Sequence, residues 1–158
     1  MVDPAPRFLD TYVPYVLRQA DQTLSAPFYE VLTRYGVARS EWRVLAVLED
    51  LGDLGVVELA RAALSPQPTV THALRRLEER GLITRRPGEL DRRQRVVSIT
   101  ETGSSLTRSL MAEATELETA ALVDTDGVDE LIARLRDLTA SVEAAVAARA
   151  ADTERGAG

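Results

Sequence analysis

The sequence predicts a mostly α-helical fold that contains one small β-hairpin. Along most of the chain, apolar residues recur at intervals of three and four, which is the spacing of an amphipathic helix. Residues 83–86 and 95–99 instead form two short runs rich in β-branched side chains, separated by a loop with Pro87 and Gly88. The 158 residues, 45% of them hydrophobic, suffice for one core, so we expect a single domain over residues 1–158.

The amino-terminal region is predicted to form a long helix. Apolar residues follow helical spacing from Phe8 to about Tyr35. Pro14 and Pro27 should kink or interrupt this helix, because proline lacks the N–H group that a helix interior uses. Gly36 is a suitable residue to end it.

Three further helices are expected before the hairpin. The second helix should start at Ser40, a good N-cap residue, and a short third helix is predicted over residues 57–63. The fourth helix follows Ser65 as its N-cap, has Pro66 as its first residue, and is predicted to end before Gly81.

The chain after the hairpin is predicted to be helical. Thr100 or Thr102 can cap a helix that runs to a turn at residues 124–127. The last helix carries a narrow apolar seam, which suits the association of two helices and leaves an ordinary intramolecular bundle as the alternative. Residues 151–158 are expected to form a disordered tail. The seam consists of Val128, Leu131, Leu135, Leu138, Val142 and Ala145.

Basic residues are concentrated in one segment of the chain. The whole chain has a net charge of −6, which by itself argues against a nucleic-acid partner. From Arg61 to Arg108, however, there are ten arginines and five acidic residues, so this segment carries +5 and the remainder −11. The sequence therefore predicts one basic face on an acidic protein, and such a face can bind phosphates.

The composition argues against an enzyme, a metalloprotein and a membrane protein. The sequence has no cysteine and a single histidine, His72, so we expect neither thiol chemistry nor a histidine-based metal site. It has no Gly-x-Ser-x-Gly elbow and no glycine-rich phosphate loop, and we expect no catalytic residue, cofactor or metal. Neither a long apolar run nor a signal peptide is recognisable, which predicts a cytoplasmic protein without a membrane partner.

The fourth helix has one apolar and one polar face. Val70, Leu74 and Leu77 have helical spacing and should face the core. The polar face follows a short packed helix, and this arrangement can place a helix in the major groove of DNA. The candidate DNA contacts of this helix are Gln67, Thr69, Thr71, His72, Arg75 and Arg76.

The arginines of the fourth helix have different expected roles. Arg75 can bind a guanine through two hydrogen bonds or hold a phosphate. Arg76 lies nearer the flank of the polar face and can equally form a surface ion pair with Glu79 or Glu113. For Arg80, too, a surface role without DNA contact stands equally beside a role in DNA binding.

The hairpin loop, or wing, is rich in arginine. Arg92 and Arg93 lie at its tip with no apolar role available, so backbone phosphates or a narrow minor groove are their expected partners. A carboxylate would repel phosphate, so Asp91 is interpreted as a brace that pairs with Arg95 or with an arginine of the fourth helix. The candidate DNA contacts of the wing are Arg86, Asp91, Arg92, Arg93 and Arg95.

Three segments carry a resemblance to a known family: SEWRVLAVL, VVELARAALSPQPTVTHALRRLEERGLITRR and DRRQRVVSITETG. They lie between residues 40 and 103, and they join the end of the fourth helix to a wing of fixed length. On these residues the chain resembles the multiple-antibiotic-resistance regulator (MarR) family of winged helix-turn-helix transcriptional regulators.

The resemblance implies a winged helix-turn-helix lobe at residues 40–99, flanked by dimerisation helices at residues 7–36 and 101–150. It implies a homodimer that binds a pseudo-palindromic operator in double-stranded DNA, acts as a repressor, and is released by a small aromatic or phenolic ligand. In the family an Asp-x-Arg in the wing has a supporting role, which here falls on Asp91.

All seven aromatic residues precede residue 43. In the resembled family a crevice between the dimer base and the DNA-binding lobe accepts ligands. Tyr12, Tyr15, Trp42 and Arg43 are therefore candidates for an aromatic pocket whose cation meets a carboxylate or phenolate. The stronger alternative is that these aromatic residues fill the core or the dimer seam, as aromatic residues at helical spacing usually do.

A function of a different class stays open. A winged helix can also serve as a protein-interaction module, or as an adaptor that does not bind DNA. The arginines of the fourth helix and of the wing favour DNA as the partner.

Overall fold

The computed structural model describes residues 7–88 and 95–156, of which residues 154–156 only as backbone. It forms two compact units, Met1–Thr119 and Ala120–Gly158. The single domain expected over residues 1–158 stays a prediction. The helices are α1 (Phe8–Thr11), α2 (Val13–Arg34), α3 (Arg39–Leu51), α4 (Val56–Ala62), α5 (Gln67–Glu79), α6 (Glu101–Ala121) and α7 (Val128–Gly156). The strands are β1 (Leu54–Gly55), β2 (Ile83–Pro87) and β3 (Arg95–Ile99).

The two prolines of the amino-terminal region act differently. The chain breaks between α1 and α2, just before Pro14. This places Pro14 in the first turn of α2, where a missing N–H costs no helical hydrogen bond. Pro27 lies inside α2, which nevertheless continues to Arg34. Gly36 follows with φ of +63°, the left-handed conformation that ends many helices, and this confirms the predicted end.

Three helix starts differ from the sequence prediction. Helix α3 begins at Arg39 and not after Ser40, because the Glu41 carboxylate reaches back and accepts the N–H of Ala38 at 2.9 Å. Helix α4 begins one residue early at Val56. Helix α5 follows Pro66, and Ser65 does not cap it, since its hydroxyl donates to the carbonyl of Ala63 at 3.0 Å.

The sheet is antiparallel with the strand order β1-β3-β2. Strand β3 has the predicted bounds, and β2 extends one residue further, to Pro87, opposite Arg95. Strand β1 was not predicted, because two residues carry no recognisable periodicity; it pairs Leu54 with Val97. The six residues between Gly88 and Arg95 lie outside the described part of the chain.

The main core lies between the sheet and helices α3, α4 and α5. Its centre is fully buried, and burial of one such aliphatic side chain contributes about 1.5 to 3 kcal/mol. The central residues are Val44, Leu45, Leu48, Leu59, Val70, Leu74, Leu77 and Val97.

A second cluster joins α2 to α6 through Phe28, Val31, Leu32 and Leu110. Thr100 caps α6, as predicted, and its hydroxyl accepts the N–H of Gly103 at 3.0 Å.

The second unit contains α7, which carries the predicted seam. Leu131, Leu138 and Val142 are exposed in the single chain. Helix α7 continues to Gly156 and so includes most of residues 151–158, for which a disordered tail was expected. The alanine-rich stretch before them has high helix propensity and favours this extension. Within the described residues, no helix has both the length and the apolar character needed to cross a membrane.

Candidate nucleic-acid interface

Helix α5 divides into a buried and an exposed face, as the sequence predicts. Val70, Leu74 and Leu77 are at most 1% exposed. The candidate contacts Gln67, Thr69, Thr71, His72, Arg75 and Arg76 are all exposed. The apolar face therefore fixes α5 on α3 and α4, and the polar face is turned to solvent.

The end of α5 is held by backbone geometry and by its neighbours. Gly81 adopts φ of +69°, so it ends the helix as predicted, and the N–H of Leu82 bonds to the carbonyl of Leu77 at 3.0 Å. The Thr100 hydroxyl donates to the carbonyl of Gly81 at 2.8 Å. The recognition candidate is thus tied directly to the junction of β3 and α6.

Among the described residues, Thr71, His72 and Arg75 of the exposed face have polar contacts only within α5. The Thr71 hydroxyl donates to the carbonyl of Gln67 at 2.9 Å, which leaves its oxygen able to accept a further hydrogen bond. Arg75 lies 3.2 Å from Nδ1 of His72 and 4.0 Å from the Glu79 carboxylate, and its side chain is 62% exposed. Its guanidinium therefore keeps donors free for a base edge or a phosphate.

Arg76 and Arg80 are instead held by a buried carboxylate. Arg76 Nε lies 2.7 Å from Oε1 of Glu41, and Arg80 Nη1 lies 3.3 Å from Oε2. The expected partners of Arg76, Glu79 and Glu113, are therefore wrong. No local sequence signal indicates the ion pair of Arg76 with Glu41, because these two residues are 35 positions apart.

Glu113 has other partners. Its carboxylate accepts hydrogen bonds from Arg34 at 2.9 Å and from the Tyr35 hydroxyl at 2.7 Å. The bond from the hydroxyl to the carboxylate raises the pKa of Tyr35.

The arginines of β2 are also paired. Arg85 Nε donates to Glu78 at 2.9 Å, and this bond lowers the pKa of the Glu78 carboxyl. Arg86, a predicted wing contact, donates to Asp53 at 3.0 Å. A hydrogen bond from Ser98 and then that from Arg86 lower the pKa of Asp53. Part of the positive charge of this segment is thus offset by neighbouring carboxylates.

Two arginines beside the start of α5 have no such carboxylate within the described part of the chain. Arg61 of α4 and Arg95 of β3 line one groove of about 580 Å³ together with Gln67. Among the described residues, neither arginine has a carboxylate within ion-pair distance. Sequence analysis missed Arg61, although it is the first arginine of the basic segment and lies on the helix before the recognition candidate. The wing-tip candidates Asp91, Arg92 and Arg93 lie outside the described residues.

The four candidate ligand residues are only partly brought together. Trp42 and Arg43 line the same groove of about 490 Å³, beside α4. Trp42 also packs edge-on against Phe28, with ring centres 4.9 Å apart. Tyr12 and Tyr15 do not line this groove, and Tyr12 stacks on Phe8 at 4.9 Å.

A second groove of about 580 Å³ adjoins the start of α5 and contains two residues that sequence analysis did not select. These are Tyr29 and Arg39, whose guanidinium lies 3.5 Å from the centre of the Tyr29 ring. Arg43 lines this groove as well.

Comparison with known proteins identifies the family. The profile of the MarR family matches residues 37–94. A solved MarR family transcriptional regulator from Silicibacter pomeroyi is 33% identical in sequence, and the match covers 85% of this chain and 99% of that one, with a TM-score of 0.72. The chain belongs to the MarR family.

Two further relatives of this MarR protein are informative. The HTH-type transcriptional regulator FarR of Neisseria gonorrhoeae is 28% identical over 131 residues, covering 80% of this chain and 85% of FarR. The structure of NadR in complex with 4-hydroxyphenylacetate is 26% identical, covers 90% of this chain and 97% of NadR, and has a TM-score of 0.73.

The family membership settles both fold and class of function. This MarR protein has a winged helix-turn-helix fold and is a DNA-binding transcriptional regulator. MarR family regulators bind DNA and are dimeric. The DNA contacts and ligand residues selected from the sequence stay predictions about individual side chains.

Proposed function

We propose that this MarR family regulator binds a pseudo-palindromic operator as a homodimer and represses transcription from it. The observation that carries the proposal is the exposed polar face of α5, where the side chains from Gln67 to Arg75 form no ion pair outside their own helix among the described residues. Since the proposed partner is chromosomal DNA, we place its action in the cytoplasm.

Helix α5 is proposed to lie in the major groove with its amino-terminal residues against the bases. Thr71, His72 and Arg75 are the proposed base-reading residues, and Gln67 and Thr69 reach base edges or flanking phosphates. The two copies of α5 in a dimer would then occupy half-sites about 34 to 36 Å apart.

The wing is proposed to hold the DNA backbone or the adjacent minor groove. Arg92, Arg93 and Arg95 supply the positive charge, with Asp91 as the brace between arginines. Arg86 takes a lesser part, because it is already paired with Asp53.

The dimer is proposed to form through residues 7–36 and 101–150. The support is the apolar surface that these regions expose in the single chain, including the seam of α7. Sedimentation of Leu138→Asp should show a shift toward monomer, whereas Ala140→Asp, on the opposite side of α7, should stay dimeric. If both variants remain dimers, the seam is not the interface.

A small aromatic acid is the proposed effector that releases the DNA. Trp42 and Arg43, which line one groove, offer a ring face and a cation to such a ligand, whereas Tyr12 and Tyr15 lie outside this groove and are not part of the proposed site. The aromatic acid bound in NadR supports this chemical class. In a thermal-shift measurement, 4-hydroxyphenylacetate should raise the melting temperature of the wild type and not of Arg43→Gln, and an unchanged wild-type melting temperature would count against this effector.

A gel-shift and footprinting experiment on the DNA upstream of its own gene tests the proposed operator. We expect a two-fold symmetric protected region and a complex that weakens when 0.3 M salt is added, as phosphate contacts require. A reporter gene behind this DNA should be more active without the protein. Absence of any shift at low salt would favour a protein-interaction module instead.

A further inference from the structure

Glu41 is the only charged side chain that is buried among the described residues. It has an exposed fraction of 0% and lies in the first turn of α3. A carboxylate taken out of water is costly unless charges and hydrogen bonds compensate it. Its surroundings should therefore show a dedicated set of partners.

Two parts of the fold supply these partners. The N–H of Ala38, in the turn between α2 and α3, donates to Oε2 at 2.9 Å. From α5, Arg76 approaches Oε1 at 2.7 Å and Arg80 approaches Oε2 at 3.3 Å. Arg80 also donates to the carbonyl of Gly36 at 2.9 Å. Glu41 and its two arginines thus fasten the carboxyl half of α5 to the end of α2.

The same contacts decide which arginines are available to DNA. A guanidinium held at 2.7 Å by a buried carboxylate would leave that carboxylate uncompensated if it turned to a phosphate. Arg76 is half exposed, yet moving it to DNA would carry this penalty. Arg75, its neighbour in sequence, has no comparable restraint.

We propose that Glu41 is a positioning residue of the DNA-binding lobe, which sets the orientation of α5 and keeps Arg76 and Arg80 away from the phosphates. The inference rests on the proposed operator binding. It assigns sequence reading to the exposed side chains from Gln67 to Arg75, and it gives Arg76 and Arg80 the task of holding the helix at a fixed angle.

The test compares Glu41→Gln with Glu49→Gln. Both variants remove one negative charge from α3 and one carboxylate that pairs with an arginine at 2.7 Å, but the partner of Glu49 is Arg108 of α6. Binding is measured against salt concentration on the footprinted upstream DNA and on a scrambled duplex of equal length. A circular-dichroism melt confirms that each variant is folded.

Glu41→Gln should make the slope of log affinity against log salt steeper by about one to two units, because freed arginines gain phosphate contacts. Its preference for the footprinted DNA over the scrambled duplex should fall by about tenfold, since the angle of α5 is no longer fixed. Glu49→Gln should match the wild type in both quantities. If Glu41→Gln also matches the wild type, or only lowers the melting temperature, the inference is overturned.

Arg76→Ala provides a second test that does not depend on the folding of Glu41→Gln. The salt slope should stay at the wild-type value while the preference for the footprinted DNA falls, because Arg76 positions α5 without touching phosphate. A slope reduced by about one unit would show a phosphate contact and overturn the inference. Wild-type protein that binds neither duplex would refute the proposed operator binding itself, so the two failures are distinguishable.

Discussion

The part of α5 up to Arg75 and the end of the helix from Arg76 onward differ in how their arginines are used, although the side chains look alike in the sequence. Arg75 and Arg76 are adjacent, and their side chains are 62% and 50% exposed. Among the described residues, the polar contacts of Arg75 are with its own helix, at His72 and Glu79, whereas Arg76 approaches the buried carboxylate of Glu41. The comparison teaches that exposure alone does not define a DNA-binding arginine, because a partner behind the side chain can already hold its charge.

The largest expected effect comes from disturbing the anchored end of α5 through its backbone. In Gly103→Ala the new Cβ would clash with the carbonyl oxygen of Leu82, which lies three residues after the end of α5. Because this neighbour is backbone, the clash cannot be relieved by a rotamer, and the free energy of unfolding should fall by about 3 kcal/mol. Urea unfolding measures the change. Thr102→Ala, at an exposed position, should stay within about 0.5 kcal/mol of the wild type, and a Gly103→Ala protein of unchanged stability would contradict the expected clash.

The next effect concerns Arg75, which has no ion pair outside α5 among the described residues. Arg75→Ala should cost about 1 to 3 kcal/mol of binding free energy on the footprinted DNA and less on a scrambled duplex, if Arg75 binds a base edge. Fluorescence anisotropy with both duplexes measures the difference. Arg108→Ala is the matched control, since Arg108 is an exposed arginine that pairs with Glu49. Equal losses for both variants would remove the distinction between free and held arginines.

A smaller and less selective effect is expected for Arg61, which lies in the groove beside the start of α5. Arg61→Ala should weaken binding to all sequences alike and reduce the salt slope by about one unit, as the loss of one phosphate contact predicts. Anisotropy at several salt concentrations checks this. A selective loss on the footprinted DNA would instead assign Arg61 to a base.

The smallest effect is a pH dependence at the base of the wing, where Asp53 holds Arg86. The pKa of the Asp53 carboxyl is lowered from 3.8, so the folded state binds its proton less readily than the unfolded chain does. The stability gained from this carboxylate is fully present above the unfolded pKa and is lost as pH falls through the folded value. Asp53→Asn should therefore be less stable than the wild type at pH 6. In unfolding measurements the difference should shrink below about pH 4, and a constant difference would contradict the ion pair.

The sequence predicts the fold where the signal is local. The spacing of Val70, Leu74 and Leu77 places the buried face of α5, Gly81 marks its end, and Thr100 caps α6. The family resemblance, too, depends on continuous segments, and it is confirmed. Each of these features is written in residues that lie within a few positions of one another.

The features that sequence analysis missed depend on contacts between distant positions. Glu41 lies 39 residues before Arg80, and nothing near either residue indicates the pair. Strand β1 exists only because Leu54 meets Val97 across the sheet. Ser65 fits the local pattern of an N-cap, but its hydroxyl bonds to Ala63 in the preceding turn. Whether an arginine can bind DNA likewise depends on which carboxylates lie beside it in the folded protein.

The hydrogen bond from Arg80 to Gly36 turns the recognition helix into a lever. Helix α5 has 13 residues and is therefore about 20 Å long, and its far end carries Gln67 and Thr69, which are proposed to reach base edges or flanking phosphates. A displacement of about 1 Å where α2 ends would tilt a rigid rod of this length by about 3°. Distances between spin labels on the two α5 helices of a dimer would report such a tilt. A displacement at the end of α2 can thus change the tilt of α5 in the major groove without contacting the side chains that face the DNA.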